Sequence, residues 1–373
     1  MRFRAAVLHS AESPLSIEEV RLERLGPEDV LVEMEAAGLC HTDFEAQQGS
    51  YPVKVPMVLG HEGAGRVVET GPNVTRVRVG DRVVCALYPS CGQCFYCRRG
   101  QRALCETVVT SHRSGTLLDG KTRLVGHGGT RIGQLLTVGS FAEYAVLPEQ
   151  GAIPIPEGVP PDRACIIACA VPTGFGAVTR VARVTFGSSV AVVGCGPVGL
   201  SVIQGARAVG AETIIAIDKD EARLGCAVGY GAGHAVRIDP SPDNAVEQVR
   251  ALTGGRGADF VFEAAGVAEA FQVSLDVARP GADVVLLGKV DPGAEIRLRF
   301  GSLMGEKRVV RASLGGACCH DDFPAFANAY LRGALDLDSL ISHRLTLDEV
   351  NEGLEMVGDR TAIRAVLRLR DVA

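Results

Sequence analysis

Tryptophan is missing from this chain, and aromatic residues make up only 5% of it. The lack of Trp bears on no mechanism. Excess positive charge is missing too: the net charge is −6, which supplies no basic footprint for nucleic acid. No apolar run approaches the roughly 20 residues that a membrane helix needs. The opening residues, Met1-Arg2-Phe3-Arg4-Ala5-Ala6-Val7-Leu8-His9, turn polar too soon for a secretory signal. That predicts a cytoplasmic protein whose 12 cysteines serve as thiols or metal ligands rather than disulfides. Internal repeats and low-complexity tracts are also lacking. What is present, 47% hydrophobic and 22% charged residues, describes a soluble globular protein. A length of 373 residues is too great for one ordinary core, so two domains are expected.

The most informative stretch runs over 189–218. Residues 190–193 form a short apolar run with no polar break, the pattern of a strand buried on both faces. Gly194, Gly196 and Gly199 follow at G-x-G-x-x-G spacing, then a helical pattern over 197–209 and a second apolar run at 214–217 ending on Asp218. In such a unit the first glycine makes the tight turn, the second lets backbone approach a pyrophosphate, and the third packs helix against strand. Asp218 lies 19 residues beyond Gly199, where a carboxylate binds a ribose 2′-hydroxyl and repels a 2′-phosphate. That favours NAD over NADP. A lone G-x-G-x-x-G is often only a flexible turn; strand, helix, second strand and terminal acid together point to a dinucleotide site.

The first 85 residues read as an antiparallel β region, with alternating stretches at 30–35 and 76–84 broken by Gly and Pro. Two polar clusters interrupt it, Cys40-His41-Thr42-Asp43 and Gly60-His61-Glu62. Each alone is more simply a set of packed residues; together with a third ligand they would suit a divalent metal. Cys91, Cys94, Cys97 and Cys105 are more specific. Four thiols at C-x2-C-x2-C-x7-C can close a tetrahedron around one zinc, a structural site with no open position. The bacterial iron–sulfur pattern begins alike but ends C-x3-C-P, whereas Cys105 comes later and precedes Glu106, which favours zinc.

Residues 112–139 are rich in Gly, Thr and Arg with weak periodicity, and read as a long surface excursion. A Pro-rich connector at 153–161 and a segment holding Cys165, Cys169 and Thr173 lead to the second domain. There, apolar runs at 190–193, 214–217, 235–238, 260–263 and 284–287 alternate with helical patterns such as 244–252 and 268–278. This predicts a doubly wound parallel sheet. A last strand at 309–314, helices over 323–332 and 347–357, and a closing strand at 362–369 complete the reading.

In order along the whole chain, Cys40-His41-Thr42-Asp43, Gly60-His61-Glu62, the four-cysteine lobe, Cys169, the glycine turn, Asp218 and Ile363-Arg364 resemble one family. It is the zinc-dependent alcohol dehydrogenases of the medium-chain dehydrogenase/reductase superfamily, in the liver-type or class III-like branch. The stretch at 112–139 looks like the insertion of the dimeric members. The resemblance implies an α/β fold: a GroES-like, mostly-β catalytic domain over 1–170 completed by 314–373, and a doubly wound parallel Rossmann domain over 171–313 that binds NAD. It implies two zinc ions per subunit, a homodimer paired through the edges of the coenzyme-domain sheets, and a small alcohol or aldehyde as substrate.

Residue by residue, the resemblance assigns the catalytic zinc to Cys40, His61 and Cys169, with Glu62 beside the metal and able to exchange onto it. Cys165 is close in sequence, but Cys169 matches the family position before Thr173. Asp43 would accept the other imidazole N–H of His61. His41 and Arg364 would contact the pyrophosphate, Asp218 the adenosine ribose with Arg223 near it, and Thr173 the nicotinamide. A zinc held by that ligand set would supply Lewis acidity that makes an alcohol hydroxyl acidic for hydride transfer to NAD, and Thr42 would begin the path by which the proton leaves. Liver-type enzymes often finish that path with a His where this chain has Glu45, and a carboxylate's ordinary pKa is low for the task.

Tyr51, Leu87 and Phe141 would line the substrate pocket, which suits a hydrophobic aliphatic or aromatic primary alcohol. The glutathione-dependent formaldehyde dehydrogenase branch uses polar or charged residues at the positions of Tyr51 and Val109, which this chain lacks. Lys289 stands where an apolar residue is common; a solvated loop lysine is the simpler reading, an anion contact the other. Two rivals are an NADPH-dependent enone or quinone reductase without metal, and a non-enzymatic, zinc-stabilised cofactor-binding protein.

Overall fold

Strand pairing begins at the second residue of the chain. The computed structural model describes residues 1–238, 242–290 and 293–370, and the chain divides into two units: Met1–Cys169 with Cys318–Ala373, and Ala170–Ala317. In the first unit, strands Arg2–Leu8, Ser16–Leu22, Leu124–Val125, Arg131–Gln134 and Met57–Val58 close a barrel. Phe3, Ala5 and Val7 alternate along the first strand and meet Val20, Leu124 and Ile132 in one buried cluster, the period of two that a half-buried strand requires.

The stretch at 112–139 therefore departs from the surface excursion its composition suggests. It supplies two strands of the barrel, and Leu117, Leu124, Ile132 and Leu135 are each no more than 1% exposed. Burying one such side chain is worth about 1.5–3 kcal/mol, so four of them tie the segment into the core. The two strands are only two and four residues long, too short to print a period on the sequence. The alternation at 76–84 likewise yields a strand only over Arg82–Cys85, because Gly80 turns the chain at a φ of +98°.

Beside the barrel runs a seven-stranded sheet whose central strand is Asp29–Leu39. On one side lies Glu62–Thr70, which pairs onward with Arg82–Cys85; on the other lie Tyr144–Pro148, paired with residues 29–33, and Ala365–Arg368, paired with residues 36–39. The C-terminal segment is thus woven into the sheet that begins near residue 29.

The second unit carries a six-stranded, wholly parallel sheet. Its spatial order is His234–Arg237, Thr213–Asp218, Ser189–Val193, Ala258–Glu263, Ala278–Leu286, Arg308–Arg311. Numbered along the chain, that is 3-2-1-4-5-6, the doubly wound order of dinucleotide-binding sheets. Ala191, Val193, Ile215, Ile217, Val261 and Val284 share one buried cluster, as expected of strands covered on both faces. Both parts of the expected fold class are present. Among the described residues, no single helix is long and apolar enough to cross a membrane.

Candidate metal centres and dinucleotide turn

Sheet register assembles the first site. Gly38 on the central strand faces Glu62, and Leu39 faces Ala365. The next residues on these chains, Cys40, His61 and Arg364, therefore converge just beyond the strand ends. Helix His41–Gln47 starts at once, with Cys40 as its N-cap and the Asp43 carboxylate accepting the Cys40 N–H at 3.0 Å. Asp43 also accepts from Gly60 N–H at 3.1 Å and from His61 Nδ1 at 2.9 Å, with both side chains essentially fully buried. Nδ1 of His61 is thereby committed to Asp43, which leaves Nε2 as its ligating nitrogen.

Cys169 closes the set from the break between the short helical turns Cys165–Ala168 and Ala170–Gly176. One ligand atom from each of Cys40, His61, Glu62 and Cys169 lies within 4.8 Å of every other. Cys165 is not in the group: its buried thiol donates to the Asp162 carbonyl at 3.3 Å.

The electrostatics of this cluster are those of a cation site. The Cys169 thiol hydrogen-bonds Cys40 and holds it well below the ordinary thiol range, while Cys169 itself is pushed well above it. Burial opposes charge on His61, but Asp43 overrides it and lifts His61 well above an ordinary imidazole. Burial pushes Glu62 up to about 8 against the pull of Arg364. Its Oε1 accepts from Arg364 Nη1 at 3.1 Å, and its Oε2 is buried with no partner. A Cβ at Gly38 would fall 2.2 Å from that oxygen, so only glycine leaves the carboxylate its place. Two thiols, an imidazole and an orphaned buried carboxylate oxygen are a donor set that zinc fits.

The second cluster has Cys91, Cys94, Cys97 and Cys105, again with all ligand atoms within 4.8 Å. Burial works to raise Cys91, but backbone N–H groups of Gln93 and Cys94 and the Thr107 hydroxyl bring it down to about 6. Four thiols with no place for a fifth group fit a structural zinc.

In the second unit, Gly194 has a φ of +97°, and a Cβ there would fall 2.5 Å from Ala265 N. A Cβ on Gly199 would stand 1.9 Å from the Gly194 carbonyl, so this glycine lets the helix lie against the strand. Gly196, the N-cap of helix Pro197–Ala208, faces open space; its nearest neighbour, Arg223 Nη1, is 3.9 Å from where a Cβ would be. That opening at a helix N-terminus is the cradle a pyrophosphate needs. Asp218 ends its strand with Oδ2 accepting Cys195 N–H at 2.7 Å and Oδ1 accepting Asp220 N–H at 3.0 Å. Asp220 in turn caps the helix that carries Arg223.

The remaining expected residues stand as follows. His41 is exposed, its ring 5.6 Å from that of Phe44. Thr42 and Glu45 are half-buried on the helix that begins beside Cys40. Tyr51 donates its N–H to the Glu45 carbonyl at 3.0 Å, and burial followed by the charge of Glu45 raises its phenol. Leu87 is 5% exposed and Phe141 wholly buried, its ring 2.5 Å from where a Cβ on Gly60 would lie. Thr173 is half-buried in helix Ala170–Gly176, in the second unit. Lys289 is half-buried just past strand Ala278–Leu286, not fully solvated.

Arg364, which the resemblance sets at a pyrophosphate, stands in the first unit beside Glu62. It is 4% exposed, with Nη1 donating to the Leu39 carbonyl at 2.8 Å and to Glu62. The sheet register brings these two side chains together. Sequence reasoning also passed over Gly38, whose only signal was a glycine inside a strand, and His112, whose contact with Leu87 across 25 residues leaves no trace in the sequence.

Comparison with known proteins agrees with this geometry. Residues 26–157 match the alcohol dehydrogenase GroES-like domain, and residues 197–332 match the zinc-binding dehydrogenase family. The chain is 35% identical over 98% of its length to all of the S-(hydroxymethyl)glutathione dehydrogenase of Paracoccus denitrificans. An alcohol dehydrogenase zinc-binding domain protein from Burkholderia ambifaria superposes with a TM-score of 0.94 at 33% identity, over 99% of each chain. Benzyl alcohol dehydrogenase from Acinetobacter calcoaceticus does so with a TM-score of 0.93 at 28% identity, over 99% of this chain and 100% of its own. With two zinc-fitting clusters and a nicotinamide-dinucleotide turn on a matching fold, the chain belongs to the zinc-dependent alcohol dehydrogenases of the medium-chain dehydrogenase/reductase superfamily, in their class III-like branch.

Proposed function

We propose that this chain catalyses the reversible, NAD-linked oxidation of a hydrophobic primary alcohol, aliphatic or aromatic, to its aldehyde. The observation that carries the reading is the cluster of Cys40, His61, Glu62 and Cys169. Three of these match the ligand set of a catalytic zinc, which keeps its fourth position for water or substrate. Zinc held there supplies Lewis acidity, which makes a hydroxyl acidic near neutral pH.

The residues supply the rest. Asp43 fixes the ring of His61. Thr42 takes up the hydroxyl proton, and Glu45, three residues on along the same helix face, hands it outward. Leu87, Phe141 and Tyr51 give the alcohol an apolar wall. Asp218 holds the adenosine ribose and disfavours a 2′-phosphate, so NAD is the acceptor. The similarity to a benzyl alcohol dehydrogenase supports an aromatic substrate.

The similarity to an S-(hydroxymethyl)glutathione dehydrogenase supports a second substrate, the thiol adduct. One experiment separates the two. NADH formation is followed over aliphatic alcohols, aromatic alcohols and formaldehyde with glutathione, on protein whose zinc content has been measured. Highest kcat/KM on benzyl or long aliphatic alcohols supports the first reading, and highest on the adduct the second. No turnover on any of them sinks both.

The chain acts as a homodimer in this proposal. Strand Arg308–Arg311 is exposed at all four positions at the edge of its sheet, and Phe300 and Met304 nearby are 79% and 64% exposed. An apolar edge of this kind pairs with its own copy around a two-fold axis. Sedimentation of a monomer at micromolar concentration would count against it.

A further inference from the structure

One hydrogen bond ties the four-cysteine lobe to the segment that carries Leu87. His112 lies in the last turn of helix Glu106–Ser114, whose N-cap is Cys105. Its Nε2 stands 2.8 Å from the Leu87 carbonyl oxygen. A carbonyl only accepts, so Nε2 carries the hydrogen. The ring packs edge-on against Tyr88 with centroids 5.2 Å apart. On the same helix Val108 is buried with Cys97 and Cys105, and Tyr88, Cys91 and Cys94 pack against that cluster. The helix has the lobe's thiols at its start and the Leu87 carbonyl at its end.

The Leu87 segment in turn leads to the other cluster. Gly65, Ala64 and Gly63 pair antiparallel with Val83, Val84 and Cys85. That ladder ends at the Gly63–Cys85 pair, two residues from His61 on one strand and two from Leu87 on the other. Leu87 is nearly buried, so packing and the grip on its carbonyl fix its position.

We propose that His112 is a positioning residue for the substrate: it transmits the order of the four-cysteine lobe to Leu87 and thereby sets the wall against which the apolar part of the alcohol rests. The structural metal site then governs discrimination among alcohols as well as stability. This rests on the reading of the chain as a dehydrogenase of hydrophobic alcohols.

Two variants of the full, zinc-loaded chain separate hydrogen bond from packing. His112→Phe keeps a ring against Tyr88 and loses the donor; His112→Gln keeps a donor and loses the ring. Amide hydrogen exchange at residues 85–90 is measured without substrate, and KM is measured for benzyl alcohol and ethanol. His112→Phe is expected to speed exchange about tenfold and raise KM for benzyl alcohol about fivefold more than for ethanol, with His112→Gln restoring both. Cys97→Ser should speed the same exchange in the wild-type background and add nothing to His112→Phe. Unchanged exchange, equal KM effects on the two alcohols, or additive effects of the two substitutions would overturn the proposal. The exchange effects without turnover on any alcohol would overturn the functional reading instead, and leave the link from lobe to Leu87 standing.

Discussion

Arg364 Nη1 lies 3.1 Å from Glu62 Oε1, and the two side chains are 5% and 0% exposed. They meet because strand Ala365–Arg368 pairs with Asp29–Leu39, which pairs with Glu62–Thr70. Burial holds Glu62 at about 8, so near neutral pH Arg364 donates to a mostly neutral carboxyl as well as to the Leu39 carbonyl. Leaving a buried acceptor unsatisfied costs about 1–3 kcal/mol. Arg364→Met is therefore expected to lower unfolding stability in urea at pH 7 by about 2–6 kcal/mol. Adding Glu62→Gln to it should cost less than Glu62→Gln does alone, since the partner is already gone. Fully additive losses would show that the two side chains are not coupled.

The two cysteine sites predict different failures. Cys169→Ser removes a ligand from the cluster that holds His61, so zinc should fall from two ions to one per chain and NADH formation should stop while the fold persists. Cys97→Ser opens the lobe whose small core is Cys97, Cys105 and Val108. It should also cost one zinc, but with a lower melting temperature and poorer soluble yield. Elemental analysis beside thermal unfolding checks both. A Cys97→Ser protein that melts with the wild type would remove the lobe's structural role.

What could be read from the sequence follows from how local each signal is. The glycine turn, Asp218 and the four-cysteine lobe are each written within about 30 residues, and all take the form their spacing implied. The parallel sheet was legible because strands covered on both faces leave unbroken apolar runs. The ligand set of Cys40, His61 and Cys169 needed the family resemblance, because sheet register, not spacing, brings those residues together. The partnership of Arg364 with Glu62 spans 302 residues and shows only in the pairing of three strands. The stretch at 112–139 misled because its strands are shorter than a periodicity needs.

Asp218 carries the prediction on coenzyme choice. Its carboxylate braces the glycine turn through Cys195 N–H, and Arg223 Nη1 stands near Gly196. If Asp218 holds the ribose as proposed, Asp218→Gly removes the acceptor for a ribose hydroxyl and the charge that repels a 2′-phosphate. NAD affinity should drop roughly tenfold or more, while NADP affinity holds or improves with Arg223 close by. Fluorescence titration with both reduced coenzymes checks this. Equal losses for the two would refute the ribose assignment and leave only the bracing of the turn.

His112 gives a pH dependence of defined sign. Burial, together with the charge of His61, holds its imidazole down at about 4 against the pull of the Leu87 carbonyl. The unfolded chain takes up this proton at about 6.5, so between about 6.5 and 4 the unfolded state binds more protons than the folded one. Stability contributed by neutral His112 is therefore complete above that window and is lost as pH falls through it, by about 2 kcal/mol at pH 5. His112→Gln cannot titrate. The other acid-sensitive groups, metal ligands included, are common to both proteins and cancel in the difference. Urea unfolding at pH 7 and pH 5 should show the wild type losing about that much more than His112→Gln over the interval. Parallel losses would mean that His112 takes its proton as readily folded as unfolded, and that its half-buried ring is not held in the donor role the 2.8 Å contact implies.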